Sequence, residues 1–153
     1  MPKKNKCKSC SLEELDPYKK IHEDAAEEGF LLNYAINPEV DGHLVVQPKF
    51  HAEQLYDLNE RQAGRLMKMI WTSCKAIEAC LSPEKIYVYS FNEAKGYHLH
   101  FHIKPKIAEV PVRGPCFVNW TDPKLEKLSK AAARKHHKEI IVMIKKSKYI
   151  ERL

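Results

Sequence analysis

No apolar run in this chain approaches the roughly 20 residues that a helix needs to cross a bilayer, so no membrane association is expected. Its opening stretch, MPKKNKCKSCSLEE, is basic but lacks the apolar core of a secretory signal. Cysteine is too scattered for a disulfide scaffold: there are five, an odd number, and only Cys7 and Cys10 are close together. Cys74 and Cys80 fall in a helix-like pattern, and Cys116 stands alone. These absences predict a cytoplasmic protein with reduced thiols. Internal repeats, low-complexity tracts and linkers are missing too, and 153 residues are enough to bury a real core. With 44% hydrophobic and 30% charged residues, a soluble globular protein is expected.

The net charge of +6 is unevenly placed. Residues 1–120 carry 16 basic and 16 acidic side chains, whereas residues 121–153 carry 10 and 4. A basic tail of this kind meets phosphates or nucleic acid, or is simply the solvated face of a lysine-rich helix.

Two apolar segments, 29–37 (GFLLNYAIN) and 43–49 (HLVVQPK), read as strands separated by the turn NPEVDG. Asn59 and Gln62 have the spacing of a capping box. Beyond them Ala63, Leu66, Met67, Ile70, Cys74, Ile77 and Leu81 recur at steps of three and four, which predicts a helix closed by Ser82-Pro83. The segments 85–91 (KIYVYSF) and 97–104 read as neighbouring antiparallel strands across the turn NEAKG. After an irregular stretch at 110–120, the remainder predicts one long C-terminal helix capped by Thr121 or Asp122, with Pro123 in its first turn.

Chemistry concentrates in GYHLHFHIKP, where His98, His100 and His102 occupy alternate positions. On a strand they face one way, and Leu99, Phe101 and Ile103 face the other. Three imidazoles on one face suit metal binding, phosphate binding or nucleophilic attack. They span about 13 Å at the strand rise, too far for one zinc with bonds of about 2 Å. The row is therefore divided between tasks.

HLHFHIKP resembles the histidine-triad motif of the HIT superfamily, in which three histidines alternate with apolar residues and two apolar residues follow. DGHLVVQPKFHAEQLYDL (41–58) resembles that family's upstream signature, and the two together extend the resemblance over roughly residues 5–106. The resemblance implies an α+β fold, with a long helix on a five-stranded antiparallel sheet and a C-terminal helix added. Residues 1–110 would form the HIT-like domain with an N-terminal zinc-binding segment. Residues 111–153 would be a basic extension packed on that domain or on a partner subunit.

It further implies that His100 attacks the α-phosphate of a nucleotide, that His102 contacts the phosphate oxygens, and that His43 lines the same pocket. His43 also reads as an ordinary half-buried strand histidine. In relatives with an N-terminal Cys-x-x-Cys pair, the ligand set carries over to Cys7, Cys10, His51 and His98, a structural zinc site of two sulfurs and two nitrogens. Metal-free thiols are the other reading. Two departures stand out. The family's Gly-Gln-Ser/Thr before the triad is absent, so Asn92, Lys95 and Gly96 are the candidate phosphate contacts. The ribose-binding acid position holds Ala35, so Asn33 or Asn37 would stand in. The implied activity is a nucleotide hydrolase or nucleotidyl transferase that acts on dinucleoside polyphosphates, nucleoside phosphoramidates or adenylates and works as a homodimer. A nucleotide- or RNA-binding module with little catalysis is the alternative.

Overall fold

The structure, a computed structural model, describes residues 7, 10, 20–26, 28–35, 39–91, 97–107 and 109–153. Five strands make one antiparallel sheet: β1 (Lys20–Glu23), β2 (Phe30–Tyr34), β3 (Leu44–Pro48), β4 (Lys85–Tyr89) and β5 (Phe101–Lys106). Their order is β1-β2-β3-β5-β4, so the histidine strand is internal and joined to both β3 and β4. The expected α+β architecture is the one observed.

The long helix α1 (Glu60–Leu81) starts at the predicted box: Asn59 Oδ1 accepts from Gln62 N, and Gln62 Oε1 accepts from Asn59 N, both at 2.9 Å. Such a cap is worth about 1 kcal/mol. Leu66, Ile70 and Ile77 are buried as the periodicity predicts, but Met67 is 62% exposed and Met69 and Ala76 are buried instead. A helix turns about 100° per residue, so Met67 lies to one side of a contact stripe that Leu66 and Ile70 centre.

Sheet alternation then decides which residues reach the cleft. Phe30, Leu32 and Tyr34 of β2, Leu44 and Val46 of β3 and Ile103 of β5 share one apolar cluster with the buried face of α1. The alternate residues, among them Asn33, Val45, Gln47 and His102, face the other side. Gly42 makes the turn into β3 at φ +73, where a Cβ would collide with Leu81 Cδ1. That backbone conformation favours glycine, and it delivers His43 to the start of the strand.

Two predicted elements differ. The histidine strand begins at Phe101, not at residue 97, and runs on to Lys106. Its first residues bond elsewhere: Leu99 N donates to Ala52 O at 2.7 Å, and the His98 ring reaches Pro48 O. The C-terminal helix is also interrupted. The irregular stretch forms a short α2 (Pro115–Val118), Asp122 caps a short α3 (Pro123–Glu126), and Ser129 caps α4 (Lys130–Lys145) by accepting from Ala132 N. A serine that satisfies a new first turn restarts the helix instead of continuing it. Ile140, Ile141 and Ile144 of α4 join the main apolar cluster.

Candidate functional site

The triad histidines differ in how each ring is held. His98 is 4% exposed, and its Nε2 lies 2.8 Å from Pro48 O. A carbonyl only accepts, so Nε2 carries the proton and Nδ1 offers its lone pair. That Nδ1 sits 3.5 Å from Cys7 Sγ and 3.4 Å from Cys10 Sγ. His51 repeats the pattern, with Nδ1 3.5 Å from Cys10 Sγ and Nε2 3.5 Å from Glu53 Oε1.

One donor atom from each of Cys7, Cys10, His51 and His98 lies within 4.8 Å of the others. A tetrahedron with zinc bonds of about 2.0–2.3 Å has edges of about 3.3–3.8 Å, close to the sulfur–nitrogen separations here. Each histidine also has its far nitrogen on an oxygen acceptor, the arrangement that orients an imidazole toward a metal. The four residues therefore fit a metal ion. Burial, opposed by the Pro48 hydrogen bond, holds His98 below the ordinary imidazole range.

His100 uses the opposite nitrogen. Its Nδ1 donates to His98 O at 2.9 Å, which leaves Nε2 unprotonated in the neutral ring. The backbone carbonyl of His100, just ahead of β5, itself accepts from Ser90 Oγ at 2.6 Å. This half-buried ring packs edge-on to His102, centroids 5.0 Å apart.

His102 and His43 form a pair, His43 Nε2 to His102 Nδ1 at 3.0 Å. The backbone fixes its polarity. Glu39 N–H donates to His43 Nδ1 at 3.4 Å, so His43 carries its proton on Nε2 and donates to His102. His102 in turn has its proton on Nε2. Burial, and after it the charges on His102 and Lys104, lowers His43 to about 3. Burial, then His100 and Lys104, lowers His102 to about 4. Both rings are neutral at pH 7. His43 is 2% exposed, more deeply buried than an ordinary strand histidine would need to be.

Other predicted residues divide sharply. Asn33 lies on the cleft face, opposite Val45, which is opposite His102. Ala35 is beside His43, its N–H donating to His43 O at 2.9 Å, and provides no polar side chain for a sugar. Asn37, Asn92, Lys95 and Gly96 lie outside the described residues.

Sequence reasoning missed two contributors. Tyr89 faces His102 across the β4–β5 ladder and stacks on it, centroids 5.1 Å apart at 13°. Alternation within KIYVYSF was the available signal. Gln47 of β3 alternates with Val45 and, just before the strand, His43; it is 7% exposed, and among the described residues its Nε2 has no hydrogen-bond partner, nor does Oδ1 of Asn33. A buried donor and a buried acceptor on the cleft face call for a bound polar group or water.

Comparison with known proteins bears on the family and the fold. A family model described as the HIT domain matches residues 18–108. An adenosine 5'-monophosphoramidase of Schizosaccharomyces pombe is 30% identical over 105 residues, 65% of this chain and 74% of its own. An uncharacterized HIT-like protein of Borreliella burgdorferi is 31% identical over 112 residues, 65% of this chain and 75% of its own. Among solved structures, a hypothetical histidine triad nucleotide-binding protein of Sulfolobus tokodaii has a TM-score of 0.66 at 22% identity, covering 94% of this chain and 91% of that one. A zinc-bound histidine triad family protein of Mycobacterium smegmatis has a TM-score of 0.65 at 18% identity, covering 91% and 93%. At these identities the structures speak to the fold. The matched span opens just before β1 and closes just after β5, so the sheet, α1 and the histidine row fall within it as one unit: the chain belongs to the HIT domain family.

Proposed function

We propose that the protein is a nucleotide hydrolase or nucleotidyl transferase acting at an α-phosphate, with nucleoside phosphoramidates, dinucleoside polyphosphates or adenylates as substrates. The observation that carries this reading is the His100 Nδ1 to His98 O hydrogen bond, which leaves Nε2 as an unprotonated nitrogen beside neutral His102. Nε2 of His100 attacks phosphorus, a P–N bond forms, and the bond to the leaving group breaks. The Nε2–H of His102 donates to the phosphate or to the departing group. Water then cleaves the nucleotidyl-histidine, releasing the nucleoside monophosphate and restoring His100.

The similarity to an adenosine 5'-monophosphoramidase supports the phosphoramidate class. His43 lines the pocket by orienting His102, and Asn33 takes the nucleoside side. Asn92, Lys95 and Gly96 remain the proposed phosphate contacts in place of the missing Gly-Gln-Ser. Zinc on Cys7, Cys10, His51 and His98 would be structural, because four protein ligands leave no open position. Such a site would fasten the N-terminal segment to the catalytic strand and supply no step of the reaction.

The wider reading is a homodimer in the cytoplasm, with the basic residues 121–153 available to nucleic acid. Val142 and Met143 of α4, 46% and 44% exposed, support an interface, and the scattered placement of the five cysteines along the chain supports a reducing compartment.

The test is rapid mixing with adenosine 5'-phosphoramidate, followed by quenching and mass spectrometry. An adenylyl adduct that maps to His100 and disappears in His100→Asn is expected. Tight nucleotide binding with neither adduct nor turnover would instead establish the binding-module alternative.

A further inference from the structure

The alternation of the histidine row continues past His102 to Lys104, where the triad pattern has an apolar residue. Lys104 is 0% exposed. Its Nζ donates to Phe117 O at 2.9 Å, Val118 O at 3.0 Å and Trp120 O at 2.6 Å, and it forms an ion pair with the Glu39 carboxylate. The ammonium also lies 4.8 Å from the Phe117 ring centroid. Three protons thus face four acceptors, which keeps a buried lysine charged although burial pulls its pKa down.

Glu39 links this clamp to the histidine pair. Lys104 holds its carboxylate, Asp122 N–H donates to its carbonyl at 2.7 Å, and its own N–H donates to His43 Nδ1. We propose that Lys104 is a positioning residue: by fixing Glu39 it sets the tautomers of His43 and His102, and it builds residues 117–122, beyond the family match, into the catalytic face.

Without the clamp, Glu39 N–H is no longer held on His43 Nδ1, and both rings become free to exchange tautomers. The positive charge that disfavours imidazolium formation at His43 and His102 is lost as well. Among the described residues, the other charged or titratable groups around the pair are His100 just before β5, Tyr89 on β4, Glu39 and Asp41 in the turn, Asp122 before α3, and His136 of α4, which bonds Asp41 at 2.8 Å. None of these is removed by changing Lys104, so a shift in the pair reports on Lys104.

The consequence for catalysis rests on the proposed function, but the tautomers do not. In long-range proton–nitrogen spectra of the full-length, zinc-supplemented protein labelled with nitrogen-15, both His43 and His102 are expected as single Nε2–H tautomers. They should remain neutral well below the ordinary imidazole range. Lys104→Met is expected to mix the tautomers and to raise the acid limb of kcat for adenosine 5'-phosphoramidate by about one pH unit. The same variant should lower kcat roughly tenfold with KM within about twofold, and Lys104→Arg should restore the limb. A wild-type His43 or His102 with its proton on Nδ1 overturns the proposal. So does a folded Lys104→Met with wild-type tautomers and pH profile. If Lys104→Met does not fold, the wild-type spectrum decides alone. Expected spectra in a protein with no turnover would sink the enzymatic reading and leave the positioning role standing.

Discussion

Two neighbours in one histidine row, His98 and His100, show how a hydrogen bond to one ring nitrogen assigns the other. At His98, Nε2 is tied to Pro48 O and Nδ1 faces two thiols. At His100, Nδ1 is tied to His98 O and Nε2 carries the lone pair. Both are histidines of one segment, two residues apart and just ahead of β5. The difference lies in which carbonyl each ring meets, and this separates a candidate metal ligand from a candidate nucleophile.

Exchanging the two outcomes by mutation tests the comparison most severely. His100→Asn should lower adenosine 5'-phosphoramidate turnover by about a thousandfold or more and leave bound zinc and thermal stability close to wild type. His98→Asn should do the reverse first, losing zinc. Turnover assays beside elemental analysis read both. Zinc loss in His100→Asn, or full zinc in His98→Asn, would break the division of labour.

Next in size is the metal end. Cys7→Ser with Cys10→Ser should reduce zinc from about one equivalent to near none and lower the thermal midpoint, because a closed structural site contributes its binding energy to folding. Stoichiometric zinc in that double variant would rule out the ligand set.

A smaller effect is expected from His43→Gln. Without the His43 proton donor, His102 loses its imposed tautomer, and kcat should fall roughly ten- to a hundredfold while zinc remains. A parallel loss of zinc would mean that the two ends are not independent.

The smallest effect is on acid stability. His43 and His102 sit at about 3 and about 4 when folded, below the ordinary 6.5. Between about pH 6.5 and about 4 the unfolded chain binds protons that the folded chain refuses, so stability falls as pH falls through that window and is flat above it. Denaturant midpoints measured across the window should slope less in His43→Gln than in the wild type. Equal slopes would show that His43 is not one of the groups responsible.

Much of the fold was legible because it depends on local rules. The Asn59–Gln62 box, the apolar face of α1 through Leu66, Ile70 and Ile77, and the alternation that puts Ile103 opposite the histidines all follow from spacing. β1 was not read, since KIHE has no alternating apolar pattern to mark it. The interrupted C-terminal helix was missed because Ser129 carries a capping signal inside a sequence whose composition favours helix throughout. Of the site, the histidine row was legible from its spacing, whereas Tyr89 and Gln47 were not singled out, because their relevance arises from strand pairing.

By itself, the sequence determined that three imidazoles fall at alternate positions of one short segment, and the strand rise predicted that a single metal could not hold them all, since spacing along the chain is local. Only the tertiary structure decided which nitrogen of each ring is committed, and that Lys104 is buried in a cage of carbonyls contributed by residues 117, 118 and 120. The partners of Lys104 and of His98 come from other segments of the chain, while His100 bonds a carbonyl two residues away that it reaches only in this backbone conformation; an imidazole's tautomer is set by whichever partner the folded chain brings to it.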